Sequence, residues 1–157
     1  QSGTDANTRR FAEYDQQVYE KKLGINVEAE YVDWPVFLDR TNKKEYQVAG
    51  MAWTGDYNDP MTFLDMWVTG SGMSQVSWSN KEYDELIKKA QNSLDDKERL
   101  ECFKRAEEIL LCDDAVISPT VYMKTSTFKY NYVKGTMSPL FGSGMEFKYA
   151  YTQGRGK

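Results

Sequence analysis

The sequence contains no histidine and only two cysteines in 157 residues, and both shortages limit its chemistry. Without histidine, the chain lacks the commonest general base and the commonest metal-binding side chain. Cys102 and Cys112 fall on or at the end of one predicted helix, which would hold them ~15 Å apart, too far for a disulfide. No CxxC pair or zinc-binding spacing is present. We therefore expect two unpaired thiols, no metal site and no cofactor.

The sequence also lacks a secretory signal pattern and an apolar run of membrane-spanning length. Its first residues are polar and lead directly into a predicted helix, so we expect the chain to be a piece of something larger. A length of 157 residues fits one domain with a core of ordinary size.

Charge is distributed unevenly along the chain. From Lys124 onward there are six basic residues against Glu146 alone, a local charge of +5, so the overall charge of -4 leaves -9 on the rest. The basic residues are spread out rather than clustered, which argues against nucleic acid as a partner. Eleven tyrosines and four tryptophans are compatible with aromatic core packing or with a cleft for amphipathic ligands.

Hydrophobic periodicity in the first third predicts helix, strand, helix, strand. Thr8 is a plausible N-cap for the first helix, and Gly24 a plausible stop. Alternating residues 25–31 predict a strand with one wet face, and a helix opening at Trp34 precedes a buried strand over 46–53. Short connections predict that these two strands are parallel neighbours with the helix crossing between them.

The middle of the chain predicts a helix pair. Ser79 with Glu82, and Asp95 with Glu98, form capping boxes ahead of two apolar stripes of helical spacing. We expect an antiparallel pair joined at residues 92–94. After it, short strands are predicted at 115–117 and 120–122, a β-prone stretch at 125–132, and a loop-rich tail.

The turn at residues 53–60, Trp-Thr-Gly-Asp-Tyr-Asn-Asp-Pro, is the most informative motif. It follows the apolar run of the predicted second strand, and open α/β sheets bind ligands at the ends of their strands. A carboxylate there, at Asp56, can hold a cationic ligand group, or it can begin an Asx-turn. The residues alone leave both roles open.

Two other classes of function remain as rivals. Asp56 and Asp59 could form a carboxylate dyad of the glycosidase kind, but residues three apart in one turn are poorly placed to flank a substrate bond. Because the chain also lacks a Gly-x-Ser-x-Gly elbow, we disfavour an enzyme. A structural interaction module built on the helix pair is the second rival.

Five elements, in order and spacing, resemble the C-terminal part of the oligopeptide- and dipeptide-binding proteins of ABC importers, the extracellular solute-binding family 5. They are Leu23-Gly24-Ile25-Asn26-Val27, Trp34-Pro35-Val36-Phe37-Leu38, the 53–60 motif with Phe63-Leu64, Ser79-Asn80-Lys81-Glu82-Tyr83-Asp84-Glu85-Leu86, and Arg105-Ala106-Glu107-Glu108-Ile109-Leu110 running on to Pro119 and Tyr122.

The resemblance implies an α/β fold, one lobe of a periplasmic-binding-protein-like (type II) fold with a mixed sheet flanked by helices. Residues 1–157 would form a single domain of a larger two-lobed protein, and 139–157 a segment returning through the hinge. The implied function is peptide capture for uptake, without enzymatic activity. The implied partners are a peptide and the membrane permease of an importer, and the location is extracellular or periplasmic on a lipid anchor. A single lobe without its partner lobe would expose its cleft face and would therefore favour self-association.

The resemblance also implies the ligand-binding residues. Asp56 would pair with the ligand's α-ammonium group, Trp34 and Trp53 would form the cleft wall, and backbone groups of Ala52 and Thr54 would pair with the peptide. Tyr122 matches a further position beside the cleft.

The sequence departs from some peptide binders, which carry an arginine three places before the motif tryptophan. Gly50 stands there, and Arg40 is the nearby candidate to hold a peptide carboxylate. The ligand class therefore stays open, since relatives take nickel complexes, haem or sugars.

Overall fold

The computed structural model describes residues 6–124, 126–138 and 144–156. These residues form helices α1 (Ala6–Val18), α2 (Trp34–Lys43), α3 (Met61–Leu64), α4 (Lys81–Asn92) and α5 (Asp96–Glu108), and strands β1 (Val133–Lys134) and β2 (Tyr151–Thr152). The chain divides into two compact units, Gln1–Trp53 with Thr69–Ser79, and Thr54–Val68 with Asn80–Lys157. That residues 1–157 act as one domain stays a prediction.

In the first unit, α1 continues into a π-helical turn, Tyr19–Leu23, and ends at Gly24. Gly24 has a φ of 67°, a left-handed conformation that glycine adopts without a Cβ penalty, so the predicted stop is confirmed. The predicted N-cap at Thr8 is wrong, because Thr8 lies inside α1, and an N-cap residue has non-helical backbone.

The second helix of this unit, α2, begins at Trp34 as predicted. Pro35 occupies its first turn, where a missing N–H costs nothing. Its end is a Schellman motif: Lys44 has a φ of 61°, its N–H donates to the Thr41 carbonyl at 3.0 Å, and Glu45 N–H donates to Arg40 at 2.9 Å. Phe37 and Thr41 of α2 are 4% and 1% exposed, and Ala12 of α1 is 5% exposed.

The predicted parallel strands at 25–31 and 46–53 are wrong. Both segments lie outside regular strands, and the sheet of the described residues is a two-stranded antiparallel ribbon elsewhere. Val27, Ala29 and Tyr31 are still less exposed than the glutamates between them. The alternation of shielded and exposed side chains is therefore present although the segment forms no regular strand. Val48 is 79% exposed, so the second segment is not buried. A strand needs paired backbone groups, and these segments do not pair with each other.

The second unit holds the larger core. Helices α3, α4 and α5 pack together, and a π-helical turn, Ile109–Asp113, extends α5. Tyr83 is fully buried, and its hydroxyl donates to the Leu64 carbonyl at 2.6 Å, which ties α4 to α3. Burial raises the pKa of this phenol. The remaining buried side chains are Met61, Thr62, Leu64, Ile87, Ala90, Cys102, Phe103, Ala106, Ile109 and Leu110. Cys102 and Cys112 are both free thiols.

The predicted helix pair is confirmed, with one corrected cap. Contacts between Lys89 and Glu98 and between Glu82 and Arg105 show that α4 and α5 are antiparallel. Asp95 caps α5 as predicted, accepting from Lys97 N–H at 2.9 Å. The predicted cap of α4 at Ser79 is wrong: Asn80 caps it by accepting from Tyr83 N–H at 3.1 Å. An asparagine one residue nearer the helix offers an equally good acceptor.

The strands predicted at 115–117 and 120–122 are also wrong, because the structure assigns no strand there. Thr125, at the start of the β-prone stretch, lies outside the described residues, and 126–132 contain no strand. The ribbon follows instead, with Val133 opposite Thr152 and Lys134 opposite Tyr151. Residues 139–143 and Lys157 lie outside the described residues, and a hinge-returning role for 139–157 stays a prediction.

Across residues 6–124, 126–138 and 144–156, no helix combines the length and apolar character needed to span a membrane. The same residues include no cluster of acidic, cysteine or histidine side chains arranged to hold a metal ion.

Candidate functional site

From Thr54 onward, the motif turn belongs to the second unit. Asp59 is the residue that anchors this turn. One carboxylate oxygen of Asp59 accepts from Met61 N–H at 2.9 Å, and the other accepts from the Arg99 guanidinium at 2.8 Å. The Asp59 side chain is 24% exposed. Desolvation opposes its charged form, but the hydrogen bonds from Met61 and Arg99 outweigh that effect and lower the pKa of Asp59. Asp59 is therefore a structural carboxylate at the start of α3.

Arg99 attaches this turn to the helix pair. Its Nε donates to the Ala90 carbonyl at 3.0 Å, near the end of α4. Its guanidinium also lies over the Phe103 ring, 5.2 Å from the centroid, one turn further along α5. One side chain thus contacts the turn, α4 and α5.

Asp56 differs from Asp59 in its exposure and in the partners of its carboxylate. Its backbone N–H donates to Thr62 Oγ1 at 3.0 Å, so its position is held through the main chain. Its side chain is exposed, and within the described part of the chain the carboxylate has no hydrogen-bond or ion-pair partner. The Asx-turn that the sequence offered for Asp56 is formed by Asp59 instead, through Met61 N–H.

Gly55, between Thr54 and Asp56, is buried under α3. A Cβ placed there would lie 3.1 Å from Phe63 Cζ and 3.2 Å from Thr62 Cγ2, tighter than ordinary van der Waals contact. The turn therefore packs closely on α3 at the residue before Asp56, which limits how Asp56 can move.

The other predicted site residues are exposed, and they divide between the two units. In the first unit, Trp34 is 53% exposed and stacks on Phe37 with centroids 5.6 Å apart, and Trp53 is 40% exposed. Ala52, beside Trp53, is also exposed. In the second unit, Thr54 shares the turn with Asp56, and Tyr122 is 96% exposed in a segment without regular structure.

Two alternatives from the sequence lose support. Both oxygens of Asp59 are occupied, so a dyad with Asp56 has no free second carboxylate. Arg40, considered as a holder of peptide carboxylates, pairs with Glu30 at 2.7 Å.

Arg99 is the residue that sequence reasoning missed. It lies 40 positions from Asp59, so spacing within the motif does not reveal it. A signal was available: Arg99 precedes Cys102 and Phe103 by three and four residues, which places a charged side chain in line with the apolar stripe of α5. A charge at such a position needs a partner.

Comparison with known sequences finds peptide-binding proteins among the relatives of this chain. Residues 1–75 match the family described as "Bacterial extracellular solute-binding proteins, family 5 Middle". The chain is 35% identical to the dipeptide-binding protein DppE of Bacillus subtilis (strain 168), over 84% of this chain and 24% of that protein. It is 30% identical to the oligopeptide-binding protein OppA of the same strain, over 94% of this chain and 27% of that protein. The chain thus spans about a quarter of the length of these relatives.

Solved structures give the same result. A structure of Listeria monocytogenes OppA bound to peptide matches with a TM-score of 0.80 and 31% identity, over 96% of this chain and 29% of that one. The substrate-binding domain of an oligopeptide ABC transporter from Bacillus anthracis matches with a TM-score of 0.78 and 32% identity, over 93% and 29%. The predicted fold class, part of a periplasmic-binding-protein lobe, is confirmed. Residues 1–75 thus match the bacterial extracellular solute-binding proteins of family 5, and over most of its length the chain is similar to peptide-binding proteins.

Proposed function

We propose that this chain is the peptide-binding lobe of the substrate-binding protein of an ABC importer, and that Asp56 binds the α-ammonium group of the peptide. The unpartnered carboxylate of Asp56 on an anchored turn carries the proposal. An exposed carboxylate without a protein partner is available to a cationic ligand, and a charge-assisted hydrogen bond to an ammonium group is worth ~1.5–3 kcal/mol.

The remaining site residues complete the proposal. Trp34, Trp53 and Tyr122 offer exposed aromatic surface to side chains of the ligand, and Ala52 and Thr54 offer backbone groups to an extended peptide. Oligopeptide- and dipeptide-binding names among the relatives support a peptide over a nickel complex, haem or a sugar.

The proposal extends to a longer protein that contains this chain. That protein would have two lobes, would bind peptide between them, and would deliver it to the membrane permease of the importer. It would act outside the cytoplasmic membrane, held by a lipid anchor, and it would catalyse no reaction. The extracellular description of the family and the periplasmic names of several relatives support this location.

The test is calorimetric titration of the full-length protein with one peptide in two forms, with a free and with an acetylated N-terminus. Asp56→Asn should weaken binding of the free form about tenfold to a hundredfold, the equivalent of one charge-assisted hydrogen bond. It should change binding of the acetylated form by less than about threefold, because that form has no ammonium group to lose.

Asp96→Asn is the matched control, since Asp96 is exposed in the first turn of α5 and away from the motif in sequence. It should leave both affinities unchanged. Equal losses for both peptide forms in Asp56→Asn would show that Asp56 only shapes the turn.

A further inference from the structure

We infer that Asp59 and Arg99 are positioning residues for Asp56: the ion pair between them orients the turn so that the Asp56 carboxylate faces the ligand. This inference rests on the proposed function, because it assigns the pair a role in ammonium recognition. All the side chains that it concerns lie in the second unit.

The first step joins Asp56 to Asp59 through Thr62. The Thr62 hydroxyl oxygen accepts from Asp56 N–H at 3.0 Å, and Thr62 N–H donates to the Asp59 carbonyl at 3.2 Å. Thr62 is 3% exposed, so these bonds are shielded from water. The main chain at Asp56 and the main chain at Asp59 are thus held by one buried residue, and displacement of Asp59 would be transmitted to Asp56.

The second step joins Asp59 to the helix pair through Arg99. Arg99 cannot follow a displaced turn freely, because its Nε is bonded to the Ala90 carbonyl and its guanidinium lies over Phe103. The side chains of Arg99 and Asp59 are 25% and 24% exposed, so the pair is better shielded than the salt bridges on the helix surfaces. The turn is therefore held to the helix pair through Arg99 and to α3 through Thr62.

The third step is electrostatic. Arg99 neutralises Asp59, which leaves the Asp56 carboxylate as the turn's unpaired negative charge. Asp59 equally neutralises Arg99, whose positive charge would otherwise repel an incoming ammonium group. Removal of either partner should therefore affect ammonium binding both through geometry and through charge.

The test is a double-mutant cycle in the full-length protein, with the free and the acetylated peptide as probes. Arg99→Met keeps the length and the apolar contact with Phe103 but removes the ion pair. It should reduce the preference for the free N-terminus about fivefold to tenfold, within the range of coupling measured between residues of one network. In an Asp56→Asn background the same change should have no further effect on that preference.

Asp59→Asn is the second variant, since asparagine retains an acceptor for Met61 N–H while losing the charge. Like Arg99→Met, it should reduce the preference for the peptide with the free N-terminus. Arg105→Met is the matched control: Arg105 also lies on α5 and pairs with carboxylates, at Glu82, Glu108 and Asp113, but not with the turn. It should cost stability without changing the preference.

The outcomes separate the inference from the function on which it rests. Wild-type protein without any preference for the free N-terminus would overturn both. A wild-type preference that Asp56→Asn abolishes, but that Arg99→Met and Asp59→Asn leave intact, would overturn the positioning role alone. Equal effects of Arg99→Met with and without Asp56 would also overturn it, because they would show a general loss of structure.

Discussion

At the scale of single residues, two aspartates three positions apart have different roles. Asp59 gives both oxygens to the protein, whereas Asp56 keeps its carboxylate free in the described part of the chain. Sequence reasoning identified Asp56 as the candidate but left its role open, because local spacing does not show which aspartate has a partner. That partner, Arg99, lies on a helix 40 positions away. The long-range contact between Asp59 and Arg99 therefore distinguishes the two aspartates, which the motif alone does not.

The Asp59–Arg99 pair predicts a pH-dependent difference in stability. The pKa of Asp59 is lowered in the folded state, so its contribution is present above the unfolded pKa, ~3.9, and is lost as pH falls through the folded pKa. At pH 7, Asp59→Asn should lower the free energy of unfolding by about 1 kcal/mol. The difference should shrink below about pH 4.

Urea denaturation of both proteins between pH 3 and pH 7 measures this difference. Arg99→Met should give a curve of the same shape, because it removes the other half of the pair. A difference that stays constant over the whole range would mean that the Asp59 charge contributes nothing to stability.

At the scale of elements, helices were predictable and strands were not. Apolar periodicity and N-terminal cap signals located α4 and α5, and the opening of α2 at Trp34 was also predicted, since a helix satisfies its backbone within its own segment. Residues 25–31 carry a strand's alternation, yet they form no strand, because a strand takes its hydrogen bonds from another part of the chain. The predicted N-cap of α4 was wrong by one residue, because Ser79 and Asn80 are adjacent and equally suitable, and Asn80 forms the cap.

The two left-handed helix ends of the first unit give a matched pair of predictions. Gly24→Ala should lower the free energy of unfolding by about 1 kcal/mol, because alanine is strained at a φ of 67°. Lys44→Gly should raise it by about 0.5 kcal/mol, since glycine removes the same strain at a φ of 61° but gives the unfolded chain more freedom.

Thermal unfolding of the two variants beside the wild type checks both signs. Gly72→Ala is the control, because nothing lies within 4 Å of a Cβ at that position and its φ is not left-handed. Destabilisation by Lys44→Gly would indicate that the Lys44 side chain contributes more than its backbone strain costs.

At the scale of the whole molecule, the chain exposes much aromatic surface for its size. Tyr122 is 96% exposed and Phe128 94%, and Trp34 and Trp53 are at least 40% exposed. Each unit therefore carries exposed aromatic side chains, and large exposed apolar surface is typical of interaction surfaces. The chain spans about a quarter of the length of its relatives, and we propose that the longer protein covers part of this surface and closes on ligand as two-lobed binding proteins do.

The 157-residue chain alone should therefore fold but bind peptide no better than roughly millimolar, which is only ~4 kcal/mol of binding free energy. It keeps the Asp56 carboxylate but leaves the ion pair in water, where an exposed pair is worth ~0–1 kcal/mol. Its aromatic surface should instead favour self-association, which sedimentation velocity at increasing concentration would detect. Micromolar binding by the monomer would place the affinity within this lobe alone.

The central claim, that Asp56 receives the peptide's ammonium group, is tested most directly by a crystal structure of the full-length protein with a bound tripeptide. We predict the ligand's terminal nitrogen ~2.7–2.9 Å from a carboxylate oxygen of Asp56, with Asp59 still paired to Arg99. A peptide whose terminal nitrogen is bound by another residue, with Asp56 turned into its own loop, would contradict the claim.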